Sequence, residues 1–352
     1  MPTSRSALAG AVPAPDSWPA KQFLVWLLMG ARAGDNNQLL ALAEELGCPF
    51  QAKSLNYNWL RRLPRRRPSL STVTKKVRVD IAAPWPDLVM CTGYASVPIA
   101  RFIREQSNGR TKLIHIGNPR VQIDDFDLQI TTPQYPRSAA NLLDLQFPIG
   151  NPARNANPTD EELNWLDSFP RPRRLIAVGG PARHWQLDKR ELRRAVRMLA
   201  GKQPRGSLIV ATSHRTGKRT RLMLERLLTE PHQAVVQSFP RFATLMSECE
   251  EIHVTADSVS MVSEAILSGR PVSMIPIRRS ALGTVSNWLW ERPLGRSTIP
   301  DLRNFWGMLK DNQLTGTVQL PTAAQVCDTV ERAAEAVRKV LATGDIVDAT
   351  RE

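Results

Sequence analysis

Short apolar runs that end in small or polar residues, each followed by residues at helical spacing, recur along most of this chain. Residues 23–29 are the first such run and read as a fully buried strand. A turn follows over Gly30, Ala31, Arg32, Ala33, Gly34, Asp35, Asn36 and Asn37. Residues 38–46 then read as a helix with Leu39, Ala43 and Leu46 on one face, stopped by Gly47. Further strands are expected at 87–92, ending in Gly93, and at 112–116, ending in Gly117, Asn118, Pro119 and Arg120. Others follow at 126–130, ending in the polar turn 131–135, and at 142–145. A helix is expected at 97–106. A proline-rich stretch around one short helix at 160–168 interrupts the pattern between 150 and 172.

The pattern then restarts. Residues 174–178 read as a strand ending in Gly179-Gly180-Pro181, followed by a helix at 189–201. Residues 207–211 read as a strand ending in Thr212-Ser213-His214-Arg215-Thr216, followed by a helix at 218–228. Strands at 251–254 and 271–275 close the block. Two consecutive strand-helix blocks predict an α/β chain with two doubly wound, Rossmann-like domains facing a cleft. The expected layout is a disordered tail at 1–20, a first domain at 21–150, a linker at 151–172 and a second domain at 173–325. A C-terminal helix and tail would occupy 326–352. After residue 277 the pattern weakens, in a stretch holding Trp288, Trp290, Phe305 and Trp306.

The most informative segment is Thr255-Ala256-Asp257-Ser258-Val259-Ser260-Met261-Val262-Ser263-Glu264-Ala265. It lies between a strand and the breakers Gly269 and Pro271, so it reads as a strand end, a polar turn and a helix start. The turn gathers side-chain oxygens around unpaired backbone N–H groups, an arrangement that attracts phosphate. Val259, Val262 and Ile266 suit a core, whereas Ser260 and Glu264 share another face at i, i+4. A carboxylate one turn inside such a helix suits a ligand carrying phosphate and hydroxyls, such as a nucleotide-sugar. The plain alternative is an N-capped helix with a solvated Glu264.

Other strand ends carry weaker signals. Asp35, flanked by Gly30 and Gly34, is a candidate general base or an N-cap. The spacing is neither a P-loop nor GxGxxG. Gly179 and Gly180 are expected near a ligand or the other domain. Ser213, Arg215 and Thr216 place hydroxyls and a guanidinium at the neighbouring strand end, where Arg215 either grips a diphosphate or faces solvent. Asp125-Phe126-Asp127 resembles a DxD metal motif but leads into a strand beside Asp124, which reads as turn chemistry. The five histidines show no paired metal spacing, and no GxSxG elbow is present. No metal or other cofactor is expected.

Charge narrows the partners. The 352 residues carry a formal net charge of +14, so an anionic partner is implied. Arg61, Arg62, Arg65, Arg66, Arg67, Lys75, Lys76 and Arg78 fall in one stretch without an acid. Pro64 and Pro68 make it a loop. It reads first as solvated charge and second as a contact for an anionic membrane surface. Nucleic acid is disfavoured, because the stretch has no interleaved aromatics. Cys48, Cys91, Cys249 and Cys327 are widely spaced, which fits a reducing, cytoplasmic setting. No apolar run approaches the ~20 residues that span a bilayer. The expected place is the cytoplasm, peripheral to the inner membrane.

The motifs at 30–38, 116–120, 131–135, 178–181, 212–216 and 255–265 together resemble one bacterial and plant family, named after a plant mitochondrial-fission (elongate-mitochondria) protein. The 255–265 motif is the most specific of these. The resemblance implies a glycosyltransferase-B-like fold whose second domain binds a nucleoside-diphosphate sugar and whose first offers an acceptor site. By that analogy Glu264 binds the donor ribose, and Ser258 and Ser260 hold the diphosphate. Gly179, Gly180, Ser213, Arg215, Thr216, Thr255, Asp257 and Met261 complete the donor side. Asp35 is the base, with Gly34, Asn37, Gln38, Gly93, Asn118 and Arg120 on the acceptor side. The resulting expectation is an inverting glycosyltransferase acting on an envelope-related acceptor. A non-catalytic scaffold at a membrane surface and a nucleotide-sugar epimerase are the alternatives. The arginine-rich loop and the region after 277 depart from the family pattern.

Overall fold

The computed structural model describes residues 23–62, 67–119, 125–135, 139–150, 156–182, 184–202, 204–280 and 302–348. The expected tail at 1–20, Arg65, Arg66, Arg120, Asp124, Trp288 and Trp290 lie outside them. The chain forms two compact units. The first comprises Met1–Thr131, Arg137–Leu145 and Asp328–Glu352; the second comprises Thr132–Pro136 and Gln146–Cys327.

The first unit is built on a six-stranded sheet of β1 (Val25–Met29), β2 (Phe50–Ser54), β3 (Leu88–Thr92), β4 (Lys112–Ile116), β5 (Leu128–Thr131) and β6 (Leu142–Asp144). All neighbours are parallel, in the order β2-β1-β3-β4-β5-β6. A parallel sheet is covered on both faces, which is why β1, and β3 up to its last residue, are apolar runs. Helices α1 (Ala33–Leu46), α2 (Lys75–Asp80) and α3 (Val97–Gln106) supply the cover. One core joins Trp26, Leu28, Val89 and Cys91 to Val77 of α2 and to Ile99 and Ile103 of α3.

Two expectations need correction here. The turn predicted at 30–37 is shorter, because the helix already begins at Ala33 and takes in Asp35. The basic stretch is not all loop, since Trp59–Arg62 is a 3-10 turn and Lys75–Asp80 is α2. The Asn58 amide fastens the two arms of this stretch, donating to the carbonyls of Ser71 and Val73.

The second unit repeats the plan. Its helices are α4 (Asp160–Asp167), α5 (Lys189–Ala200), α6 (Lys218–Glu225), α7 (Phe242–Glu248), α8 (Val259–Leu267) and α9 (Leu302–Asp311). Its strands are β7 (Arg173–Val178), β8 (Trp185–Leu187), β9 (Ser207–Thr212), β10 (Gln233–Val236), β11 (Glu251–Thr255), β12 (Val272–Ile275) and β13 (Ile277–Arg279). The main sheet is parallel in the order β10-β9-β7-β11-β12, and β13 pairs with β8 antiparallel. Alternate residues of β7 feed two cores. Ile176 and Val178 meet α5 and α6, and Leu175 and Ala177 meet α7, α8 and α9. The strands β2, β8, β10 and β13 and the helices α7 and α9 were not expected. Most are too short or too polar to stand out from flanking turns. The last helix, α10 (Thr329–Asp348), packs against α1 and strands β4 and β5 of the first unit.

Strand order fixes where each sheet can open. The first sheet reverses its winding direction between β1 and β3, and the second between β7 and β11. Ligands of such sheets bind beyond the carboxyl ends of the strands at these reversal points.

Candidate functional site

In the second unit the reversal point is made of three loops bound together by one carboxylate. Asp257, just past β11, is buried, with its side chain 0% exposed. One oxygen accepts the hydroxyl of Thr255 at 2.6 Å. The other accepts the Gly180 N–H at 3.0 Å and the Arg215 guanidinium at 3.1 Å. The Gly179 N–H donates to the Thr255 hydroxyl at 2.8 Å. On the β9 side, the Thr216 hydroxyl donates to the Gly179 carbonyl at 2.6 Å. Ser213 receives the Arg215 N–H at 3.2 Å.

This network explains the two glycines. A Cβ on Gly179 would lie 2.0 Å from the Asp257 carboxylate, and one on Gly180 would lie 2.2 Å from the Arg215 carbonyl. The pair is therefore required by the protein's own packing, beyond any ligand. Thr255, Asp257 and Thr216 are likewise spent on holding the loops together. They are scaffold rather than free ligand-binding groups, because a buried carboxylate with its hydrogen bonds filled has little left to offer.

What remains accessible is a smaller set. Arg215 keeps its side chain 46% exposed while Asp257 fixes one nitrogen, which leaves other guanidinium donors for an anion. Ser258 caps α8 weakly, accepting the Met261 N–H at 3.4 Å, and its hydroxyl lies 3.2 Å from that of Ser260. Among the described residues nothing accepts the N–H groups of Val259 or Ser260. They point out of a helix start that favours negative charge.

Glu264 sits one turn further along α8. It is partly buried and has no hydrogen-bond or ion-pair partner among the described residues. Burial pushes its carboxyl up to about 7. Val262 and Ile266 of the same helix are buried in the core, so the stripe expected from the sequence is present.

In the first unit the described residues expected on the acceptor side lie beyond the carboxyl ends of β1, β3 and β4. Gly34, Asp35, Asn37 and Gln38 occupy the first turns of α1, beyond β1. Gly93 follows β3 in the left-handed region, with φ +70, and Asn118 follows β4. The N-cap of α1 is Arg32, so Asp35 is not the cap. Burial raises the Asp35 carboxyl, with Arg32 acting in the opposite direction. Sequence reasoning passed over Asn36. Its side chain accepts the Gly30 N–H and donates to the Gly30 carbonyl, both at 2.9 Å, and so shapes this loop. An Asn after a strand-ending Gly was the available signal. Asp125 and Asp127 are ion-paired with Arg101 and Arg104, which accounts for that motif structurally.

Trp306 was also missed as a site neighbour. Its indole N–H donates to the Ala256 carbonyl at 3.1 Å, and Trp185 packs edge-on against it. The apolar spacing of Leu302, Phe305 and Leu309 could have revealed α9.

Residues 33–288 match the family model described as mitochondrial fission ELM1. The chain belongs to this ELM1 family. No curated protein matches its sequence. Among solved structures, it is similar to a Listeria monocytogenes protein described as a candidate UDP-N-acetylglucosamine 2-epimerase. The TM-score is 0.53 at 14% identity, covering 92% of this chain and 96% of the other. It is also similar to the UDP-GlcNAc 2-epimerase from Neisseria meningitidis bound to UDP-GlcNAc. There the TM-score is 0.50 at 12% identity, covering 91% and 100%. At such identity the likeness establishes the fold alone, which for this ELM1-family chain is the glycosyltransferase-B type with two Rossmann-like units. No helix among the described residues is long and apolar enough to cross a membrane.

Proposed function

We propose that the second unit binds a nucleoside-diphosphate sugar and that the protein transfers the sugar, with inversion, to an envelope-related acceptor. The observation that carries this reading is Glu264. A partly buried carboxylate with no partner among the described residues weakens a fold, and here it stands one turn behind a helix start at a sheet's reversal point. Two ribose hydroxyls would supply the donors that Glu264 lacks. The N–H groups of Val259 and Ser260, with Arg215, would hold the diphosphate. The neighbour from Neisseria meningitidis, which shares the fold, was solved bound to UDP-GlcNAc.

In the transfer, an acceptor hydroxyl forms a bond to the anomeric carbon as the bond to the diphosphate breaks. Asp35 takes the hydroxyl proton, a role its raised carboxyl suits. The leaving diphosphate gains negative charge, which Arg215 and the α8 start would stabilise. This chemistry calls for no metal.

The test is a thermal-shift panel of nucleotides and nucleotide-sugars on the purified protein. A selective rise for one diphosphate, lost in Glu264→Ala with the fold retained, is expected. No shift at millimolar ligand would sink the donor site and favour a scaffold at a membrane surface. Product analysis separates the enzyme readings: sugar transfer with release of nucleoside diphosphate supports the transferase, and an epimerised sugar nucleotide supports the epimerase.

A further inference from the structure

The second unit holds a cavity of about 440 Å³ on the α5 face, within the usual range of small-molecule sites. Its floor is Met274–Ile277, at the carboxyl end of β12. Ala195 and Met198 of α5 form one wall, and Val318 belongs to the other. That second wall is built. The segment around it is fastened to the β12 edge by hydrogen bonds from Gly316 and Thr322 to the Val272 carbonyl, at 2.9 and 3.0 Å. Its turn is closed from Thr317 to the Leu320 carbonyl at 3.0 Å. The inner end is Trp306, which is held in place by the Ala256 carbonyl.

The rim is charged. Arg194 of α5 lines the cavity, and Arg190, Arg193 and Arg197 share its helix face at the i, i+3, i+4, i+7 spacing. The buried residues Leu192, Ala195, Val196 and Leu199 occupy the opposite face. None of the four guanidiniums has an ion-pair partner among the described residues. Glu191 also lies on the rim, as the single opposing charge from α5 there.

We infer that this cavity binds a single-chain amphiphile with an anionic head. The alkyl chain enters between α5 and the β12 edge, and the head rests on Arg194, the one arginine of that face that lines the cavity. At about 30 Å³ per carbon, the volume of one water, the cavity takes a chain of up to about fifteen carbons. A purely polar anion would leave the methionine, isoleucine and tryptophan walls unused. A neutral alkane would leave the arginines unused. This inference is independent of the nucleotide-sugar reading, so the nucleotide thermal shift and the experiment below can fail separately.

The experiment titrates the full-length protein with 12-bromododecanoate and follows tryptophan fluorescence, because the bromine quenches an indole it touches. Saturable quenching at one ligand per chain is expected. Trp306→Phe should lose much of the quenching while calorimetry shows similar affinity. Met198→Trp, which fills the cavity, should weaken binding at least tenfold. Arg194→Glu, an exposed change safe for folding, should do the same, and Glu191→Gln should strengthen binding. Absent saturation would overturn the inference, as would unchanged affinity in both Met198→Trp and Arg194→Glu. Equal binding of dodecanol would refute the anionic head.

Discussion

Replacing Glu264 by glutamine should stabilise the empty protein and damage its ligand binding. Burial holds the folded carboxyl at about 7, against an ordinary glutamate value of 4.5. Between those values the folded protein keeps a proton that the unfolded chain has released. Stability therefore falls as pH rises from about 4.5 through 7, and then levels off. The full difference corresponds to about 3 kcal/mol. Residual solvent contact at Glu264 reduces this to about 2 kcal/mol. Glutamine keeps the shape without the charge. The variant should thus gain about 2 kcal/mol at pH 8, a rise in melting temperature of about 4–8 °C. The gain should shrink toward zero at pH 4. Melting curves of wild type and Glu264→Gln across that range, without nucleotide, make the measurement. The same variant should bind the preferred diphosphate at least tenfold more weakly. A loss of stability in the variant, or a gain equal at pH 4 and pH 8, would refute the assignment of Glu264 as an unpaired, desolvated carboxylate.

Other expectations follow from the same network of contacts. Asp257→Ala strips the partner from the buried Gly180 N–H and the Thr255 hydroxyl, and should cost about 2–4 kcal/mol in urea unfolding; a cost below about 0.5 would show the bracket to be unimportant. Asp35→Asn should abolish sugar transfer and leave nucleotide affinity nearly unchanged, and equal turnover in the variant would end its role as base. Glu162 behaves oppositely to Glu264. Arg241, helped by Thr159 and Thr244, holds its carboxyl far below the usual range, so its stabilisation is present above pH 4.5 and lost as the acid protonates. Glu162→Gln should therefore destabilise by about 2–3 kcal/mol at pH 7, and the deficit should close on acidification.

Much of the architecture was legible because its signals are local. A strand buried on both faces favours an apolar run, so β1 and β3 were placed to within two residues by that rule, and α3 was read to the residue from helical spacing. Edge elements such as β2, β10 and β13 were not, because an edge strand is free to carry polar residues. In the 255–265 motif, one helix turn already put Val262 and Ile266 on the buried face and Glu264 off it.

Strand order belongs to the tertiary structure alone, since each sheet's reversal point is set by which non-consecutive strands pair. That pairing brings Gly179, Arg215 and Asp257 together across more than seventy residues of chain. It also sorts chemistry that sequence leaves mixed. Thr216, Thr255 and Asp257 look like ligand groups in one dimension, yet in three they are consumed as the bracket of the loops. Arg215 and Glu264 are equally polar, yet the exposed part of the Arg215 guanidinium and the Glu264 carboxylate remain available. Sequence decides which polar groups exist at the strand ends. Only the fold decides which of them the protein itself has already satisfied, because a hydrogen-bond partner is a matter of distance in space and not along the chain.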